Sequence, residues 1–255
     1  MKRTLLTPKW IVFHLLIIVS VIAMINLGLW QLQRLDERKE FNAEVRAHSQ
    51  TAVQPFADLL QQGDDYGQLE WYPVRVTGEY LADREITIVN RSQDGAAGRN
   101  SVVPLQTDNG EIVLINRGFV PLSIDIPPPA TGKVTVTGFA RAPQKRSAVG
   151  AIDSDRPGTT EFQRMDIPLI ERALELDVAP MYIQRLDSDP PEGQWPARVT
   201  NPPLDEGPHL SYAGQWFFFT AVALTGWIVV IVRQRKKTTP AANSATSDVP
   251  SQTSA

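Results

Sequence analysis

Two long apolar runs stand out in the pattern of hydrophobic and polar positions along this chain. The first covers residues 10–30, and the second covers residues 213–232 and carries no charged side chain. A helix of about 20 predominantly apolar residues is long enough to cross the hydrocarbon core of a bilayer. The two runs therefore predict two transmembrane helices.

Each run has an alternative interpretation. The first could be a cleaved signal peptide, but such peptides have an apolar core of only about 7–15 residues and a small-x-small cleavage site. This run continues to Asn26 and then reads Leu27-Gly28-Leu29-Trp30, which offers no such site. The second could be a buried helix of a soluble core, but its length and the basic residues after it favour a membrane span.

Between the two runs, polar and apolar side chains alternate as they do in strands with one buried face. Asp108-Asn109-Gly110 is a turn signal that predicts a hairpin, and Pro168 opens a short helix that continues through Leu176, since proline is tolerated at the first helical position. The fold class we predict is an α+β membrane protein, in which the two helices flank a β-rich domain at residues 31–212. The predicted strands cover residues 74–80, 85–89, 102–105, 112–115, 133–139 and 180–186.

Other segments show no strand pattern. The chain after the first run has no helix breaker, so we expect the first helix to continue to about Ala47. Residues 143–160 are polar, and residues 188–208 contain six prolines, so both are predicted to be loops. Residues 238–255 consist largely of Ser, Thr, Ala and Pro, a composition that cannot bury enough apolar surface to become ordered.

Basic residues set the predicted orientation. Cytoplasmic flanks of membrane spans carry an excess of Lys and Arg, and two spans place both termini on one side. We therefore predict that residues 1–9 and 233–255 are cytoplasmic and that the domain at residues 31–212 is extracytoplasmic. The N-terminus lacks the Arg- and Ser-rich stretch of a transit peptide, which favours a bacterial plasma membrane. The residues that carry the signal are Lys2, Arg3, Lys9, Arg233, Arg235, Lys236 and Lys237.

Composition narrows the function classes. The 25 basic and 28 acidic residues give no basic excess for binding nucleic acid. The absence of cysteine excludes disulfides, thiolate nucleophiles and zinc–cysteine sites. A mean hydropathy of −0.18 excludes a polytopic transporter and fits a water-soluble domain anchored in a lipid bilayer.

The chain offers few residues for catalysis. His14, His48 and His209 are its only histidines, and none lies in a predicted strand. There is no Gly-x-Ser-x-Gly elbow, phosphate-binding loop or metal-ligand motif. We therefore expect neither an enzyme nor a dedicated metal site.

The polar residues that stand out lie near the predicted spans. An ionisable residue inside a membrane is a functional candidate by default, and a neutral imidazole is a good axial ligand for haem iron. The alternatives are a neutral imidazole near the interface for His14 and an interfacial polar residue for His209. Arg34 is expected at headgroup level, where a long side chain can snorkel to phosphate.

Two arginines end predicted strands, Arg91 and Arg117. Either could form a bidentate contact with a carboxylate, such as a haem propionate or an acidic side chain of a partner. The alternative is an internal salt bridge to Glu79 or Asp83.

Four blocks of the sequence, taken together, resemble the Surfeit locus protein one family. They are LGLWQLQRL at residues 27–35, followed by Lys39; the segment from Tyr72 to Val76, with Gly78 and Tyr80; VLINRGFVP at residues 113–121; and HLSYAGQWF at residues 209–217. The blocks come in the order of the family. The chain departs from the family at Gly207-Pro208, where asparagines are common.

The resemblance implies an assembly factor for haem-copper cytochrome c oxidase that assists the delivery or insertion of haem a. Its implied partners are oxidase subunit I and the haem a synthesis machinery. His209 would be the haem ligand, and a further set of residues would form the haem environment or the partner-binding face. The alternative is a membrane scaffold for oxidase subunits that never binds haem. The further set is Gly28, Trp30, Arg34, Arg117, Tyr212 and Trp216.

Overall fold

The computed structural model describes residues 7–145, 152–154 and 156–237, which form two compact units. The described residues up to Glu40 form one unit together with those from Asp205 onward, and Phe41–Leu204 form the other. We call the first the helical unit and the second the β unit.

Four α-helices and eight strands account for most of the described residues. In chain order they are α1 (Pro8–Ser49), β1 (Gln54–Pro55), α2 (Phe56–Leu60), β2 (Pro73–Tyr80), β3 (Ile86–Gln93), β4 (Ala96–Thr107), β5 (Ile112–Pro121), β6 (Lys133–Arg141), β7 (Glu161–Phe162), α3 (Ile167–Leu174), β8 (Tyr182–Asp189) and α4 (His209–Lys237).

The helical unit pairs the apolar parts of α1 and α4, both of which are long and apolar enough to cross a membrane. Along each helix the less exposed residues recur at intervals of three and four, which is the spacing of a coiled-coil seam. Hydrogen bonds from α4 to α1 at both ends of the seam make the pair antiparallel. The seam includes His14, Val21, Gly28, Gln31 and Leu35 on α1, and His209, Ala213, Trp216, Thr220 and Trp227 on α4.

The β unit is built on a closed barrel. Its strands follow the order β2-β6-β8-β5-β4, and β4 pairs back onto β2, so the five strands close on themselves. The β5–β8 pair is parallel, and the other barrel pairs are antiparallel. β3 and β7 extend the sheet beyond β4, and β1 adds to β2.

Alternate side chains of the barrel strands serve two hydrophobic cores. On β5, Val113 and Ile115 lie in the first core, whereas Leu114 lies in the second. The first core also contains Phe56 and Leu59 of α2 and buried residues of all five barrel strands. The second core contains the buried face of α3 and residues of β3, and it covers the opposite face of the sheet.

The structure confirms a mixed α+β architecture with all the predicted strands and the short helix, and α1 continues to Ser49, close to the predicted end at about Ala47. Several predicted bounds were wrong. β3, β4 and β5 are each longer than the strands predicted at residues 85–89, 102–105 and 112–115. β8 continues to Asp189, so the first residues of the predicted 188–208 loop are strand. The short helix ends at Leu174 rather than Leu176, because Glu175 adopts a left-handed conformation with φ 55°.

Three short elements were not predicted. β1, α2 and β7 contain only two to five residues each, too few to display a helical or strand period. The predicted disordered tail at residues 238–255 and part of the predicted 143–160 loop lie outside the described residues.

Candidate functional site

His209 is the first residue of α4 and lies on the seam of the helical unit. Its Nδ1 is 2.9 Å from Oε1 of Gln31, one of the seam positions of α1. Because the amide oxygen can only accept, Nδ1 carries a proton, and in a neutral ring the lone pair then lies on Nε2. The assigned amide orientation therefore fixes the tautomer in which Nε2 can serve as a ligand.

The residues just before His209 set the start of α4. Gly207 has φ +65°, a conformation that favours glycine, and a Cβ built there would lie 3.5 Å from Nε2 of His209, which is an ordinary van der Waals contact. Pro208 then precedes the helix, and its carbonyl accepts a hydrogen bond from Ser211 Oγ at 2.7 Å. A substitution at position 207 would therefore be strained by the backbone conformation.

Gly28 lies one helical turn from Gln31 and is buried in the seam. A Cβ at this position would come within 2.7 Å of Cε1 of Phe217. The missing side chain therefore makes room for an aromatic ring of α4. The block at residues 27–35 predicts Gly28 as a site residue, but nothing in the sequence indicates that Phe217 is its neighbour.

His14 is also a seam residue, and its partner is Trp227. The indole Nε1 donates a hydrogen bond of 2.8 Å to Nδ1 of His14. This contact joins α1 and α4, so His14 contributes to helix pairing. Its assignment as a neutral imidazole near the membrane interface stays a prediction.

The other predicted site residues of the helical unit face outward or lie half-buried. The Arg34 guanidinium lies 5.6 Å from the ring centre of Trp30 and forms an ion pair of 2.7 Å with Glu37. Tyr212 is 46% exposed. Trp216 is half-buried on the seam. The helical unit therefore contains six of the seven predicted site residues, of which His209, Gly28 and Trp216 share the seam.

Arg117 belongs to the β unit, where it is fully buried. Its Nε and one Nη donate to the two carboxylate oxygens of Glu192 at 2.8 and 2.9 Å. The remaining donors reach Ser101 Oγ at 3.3 Å, the Pro127 carbonyl at 2.9 Å and the Pro128 carbonyl at 3.3 Å. All five N–H donors of the guanidinium are thus engaged within the chain.

The expected internal salt bridge of Arg117 exists, but its predicted partners were wrong. The carboxylates within reach are those of Glu192 and Glu85, the latter at 3.6 Å, and not Glu79 or Asp83. Glu192 is 75 residues away in the sequence. It lies in a proline-rich segment, and no local sequence pattern predicts that this segment packs against the barrel.

Two further polar groups surround this arginine. The Arg185 guanidinium donates to the Arg117 carbonyl at 2.7 Å, and burial lowers the pKa of Arg185. Burial, reinforced by the Glu192 carboxylate, raises the pKa of Tyr80 above its usual range. The two arginines and Glu192 thus form one buried polar network within the β unit, and the Tyr80 ring lies within range of its charges.

Arg91 has a different environment. Its Nη2 donates to the Gln163 carbonyl at 2.9 Å, and it has no carboxylate partner among the described residues. Burial lowers the pKa of Arg91. The internal salt bridge offered as an alternative for this arginine is therefore absent from the described part of the chain.

The described residues contain no group of three or more His, Asp or Glu side chains that could hold a metal ion. A haem needs no such cluster, since the porphyrin leaves only axial positions to protein side chains. The free Nε2 of His209 fits one such position.

Comparisons with known proteins find relatives whose similarity covers most of the chain. The sequence model of the SURF1 family matches residues 18–221. An uncharacterised SURF1-like protein of Mycobacterium tuberculosis is 29% identical over 228 residues, which cover 87% of this chain and 83% of the relative.

Two other organisms contain similar proteins. A SURF1-like protein of Monosiga brevicollis is 26% identical over 220 residues, covering 80% of this chain and 81% of the relative. A SURF1-like protein of Rickettsia felis is 25% identical over 230 residues, covering 87% and 96%. The similarity therefore extends over most of the chain and of each relative.

Proposed function

We propose that this chain, which belongs to the SURF1 family, assists the delivery or insertion of haem a into the catalytic subunit of cytochrome oxidase. Members of the family are generally cytochrome oxidase assembly factors rather than enzymes. The family match confirms the resemblance carried by the four sequence blocks. The haem step is the part of the proposal that goes beyond membership.

The proposal includes a membrane setting. The apolar parts of α1 and α4 would cross a bacterial plasma membrane, with both termini in the cytoplasm and the β unit outside. Exposed apolar side chains on both helices support this setting, since they would otherwise face water. Leu16 is 61% exposed on α1, and Phe218 is 63% exposed on α4.

The observation that carries the haem proposal is the pairing of His209 with Gln31. A metal-ligating histidine typically donates its second ring N–H to an oxygen acceptor, which orients the ring and fixes the tautomer. The 2.9 Å contact between Nδ1 and Gln31 Oε1 has that form. Nε2 of His209 would then hold the haem iron, and the haem would supply the porphyrin and the redox-active metal.

Nearby residues of the helical unit have the chemistry that a porphyrin requires. Leu210 and Phe217 are exposed apolar side chains close to His209 in the sequence. Trp30 follows the buried Gly28 on α1, one position before Gln31. These side chains would cover the apolar faces of the porphyrin, whereas Arg34 would lie near its charged edge.

A scaffold that binds oxidase subunits without haem is the second candidate. It is favoured by the fact that His209 already has a hydrogen-bond partner within the protein, so its presence can be explained by helix pairing alone. Subunit I and the haem a synthesis machinery would then be held by the exposed faces of the helices or by the β unit.

Complementation separates these functions. Cells that lack this protein should lose much of the a-type absorbance of their membranes, and the native chain should restore it. The haem proposal predicts that His209→Ala restores little absorbance although it still co-purifies with subunit I. The matched control His48→Ala, which removes a histidine from the β unit, should restore it fully. Full restoration by His209→Ala would favour the scaffold.

A further inference from the structure

A polar cavity lies on the outer face of the barrel, within the β unit. Its volume is about 220 Å³, and five neighbouring strands contribute to its lining. The contributing side chains are Arg141 on β6, Tyr182 and Gln184 on β8, Asn116 on β5, Asn100 on β4 and Arg91 on β3. Residues 199–202 contribute the facing wall.

Strand register explains why these side chains converge. Asn116 is paired with Gln184 between β5 and β8, and Arg141 is paired with Tyr182 between β6 and β8. Directly paired side chains on one face of a sheet lie about 5 Å apart. The barrel therefore presents a row of polar groups where the adjoining surface carries the second hydrophobic core.

The facing wall is fixed by side-chain amides. Gln184 Nε2 donates to Asn201 Oδ1 at 2.9 Å, and Gln93 Oε1 accepts a hydrogen bond from the Thr200 backbone N–H at 3.1 Å. Gln93 Nε2 also donates to the Arg198 carbonyl at 3.0 Å. The cavity is thus enclosed by a segment held in a defined position.

Two buried amides in this cavity lack internal partners. Asn116 is 5% exposed, and its Oδ1 has no hydrogen-bond partner. Asn100 is 6% exposed and makes no side-chain hydrogen bond within the described residues. Burying such groups unpaired costs free energy, which points to a ligand that completes their hydrogen bonding. Since no internal bond fixes the Asn116 amide, its NH₂ group can face that ligand.

The charge of the cavity is positive. Arg141 is neutralised by Glu70, at 2.9 Å, and the nearby Arg164 is paired with Asp153 at 3.6 Å. Among the described residues Arg91 has no carboxylate partner, and it donates only to the Gln163 carbonyl. One guanidinium therefore faces the cavity with unused donors and an uncompensated charge.

We infer that this cavity binds a carboxylate group, anchored by Arg91 and oriented by the amides of Asn100 and Asn116. Guanidinium groups bind planar carboxylates through paired N–H donors, and carboxamides add neutral donors. The volume lies below the range of about 300–1,000 Å³ usual for drug-sized ligands. It therefore suits a small organic acid or a single acidic side chain of a polypeptide.

Thermal unfolding of the full-length protein in detergent provides the test. The unfolding midpoint is followed by near-ultraviolet circular dichroism at constant ionic strength, with chloride, phosphate, succinate or N-acetylglutamate amide added. A ligand that binds only the folded state raises the midpoint in a saturable way. Succinate represents a small organic acid, and N-acetylglutamate amide represents an acidic side chain of a polypeptide. The compound that binds more tightly therefore shows which of the two kinds of carboxylate the cavity prefers.

Three variants assign the effect to the cavity. Arg91→Gln should weaken carboxylate binding about tenfold or more, as expected for the loss of a charged hydrogen-bond donor. The matched control Arg75→Gln removes an exposed arginine that is not part of the cavity lining, and it should bind like the native chain. Asn116→Asp places a carboxylate in the cavity with little change in shape and should also weaken binding.

Several results would overturn the inference. Equal stabilisation by chloride and carboxylates would indicate a general effect of anions without a site for carboxylates. Tighter binding of phosphate than of either carboxylate would indicate a tetrahedral oxyanion. Unchanged binding in Arg91→Gln would remove the anchor, and if that variant fails to fold, unchanged binding in Asn116→Asp decides against the cavity instead.

Discussion

Arg117 is a charged residue at a position of β5 where the alternation predicts a buried side chain. Its position in the sequence follows the alternation that places Val113 and Ile115 inside the barrel, so its side chain is directed into the same interior. A buried guanidinium is tolerated because every donor is paired and because Glu192 balances its charge. The network therefore depends on the whole set of partners.

Replacing this arginine should be strongly destabilising. Arg117→Leu leaves the Glu192 carboxylate buried without its counter-charge, and breaking a buried pair from one side typically costs about 3–5 kcal/mol. Arg75→Leu, at an exposed position, should change the free energy of unfolding by less than about 0.5 kcal/mol. Urea unfolding of the detergent-solubilised chain measures both. Equal stability of the two variants would contradict the role assigned to Arg117.

Tyr80 should make stability sensitive to alkaline pH. Burial raises its pKa in the folded state, whereas an unfolded tyrosine ionises near pH 10. The contribution of the neutral Tyr80 to the free energy of unfolding is therefore fully present below pH about 10. Above that pH the free energy of unfolding falls by up to about 1.4 kcal/mol per pH unit for each such tyrosine.

Tyr80→Phe tests this expectation, because it removes the ionisable group together with a buried hydroxyl that has no partner. The variant should retain native stability at neutral pH and lose stability less steeply between pH 10 and 11. Urea unfolding at several pH values gives the slopes. Burial also raises the pKa of Tyr182, so part of the slope should persist. A slope identical to that of the native chain would refute the assignment to Tyr80.

At the scale of the element, the seam between α1 and α4 depends on a close approach at one glycine. Gly28→Leu would drive a side chain into the ring of Phe217, and overpacking of this kind costs about 1–3 kcal/mol. Gly214→Leu is the matched control, because a Cβ at Gly214 meets nothing within 4 Å. Thermal unfolding in detergent should show a lower midpoint for Gly28→Leu alone.

A second substitution should restore part of the stability that Gly28→Leu removes. Phe217→Ala in the Gly28→Leu background removes the obstructing ring and should recover part of the lost stability, a coupling that a double-mutant cycle measures. If Gly28→Leu and Gly214→Leu unfold at the same temperature, or if Phe217→Ala adds its full cost to Gly28→Leu, the close approach is not what stabilises the pair.

The elements that the sequence predicts are long and defined by local patterns, whereas the features that it does not predict are short or depend on contacts between distant segments. Strict alternation in residues 133–139 was enough to predict β6, and the Asp-Asn-Gly turn was enough to predict the β4–β5 hairpin. The closure of the barrel by β2 and β4 joins strands that are not consecutive, and no local period reports it.

The candidate site residues likewise include some that the sequence indicates and one that it does not. The histidine at the start of α4 could be found from its chemistry and its block. The position of its partner Gln31 is also indicated by the sequence, since Gln31 falls on the three-and-four spacing with Gly28 and Leu35. Glu192 had none, because its contact with Arg117 depends on the path of a long irregular segment.

At the scale of the whole molecule, the proposed topology can be tested by labelling. The chain contains no cysteine, so single cysteines introduced at exposed positions report without a background. In spheroplasts, a membrane-impermeant maleimide should label Asp64→Cys, in the β unit, and should label Lys9→Cys and Lys236→Cys only after the membrane is permeabilised. Labelling of Lys9→Cys in intact spheroplasts would contradict the assigned orientation.

We propose that this protein carries haem a on His209, and an optical spectrum of the detergent-purified chain, made in cells that synthesise haem a, is the decisive measurement. We expect a Soret band with stoichiometric haem a, which is lost in His209→Ala and retained in His48→Ala. A colourless native protein that still pulls down oxidase subunit I, or full haem occupancy in His209→Ala, would contradict it.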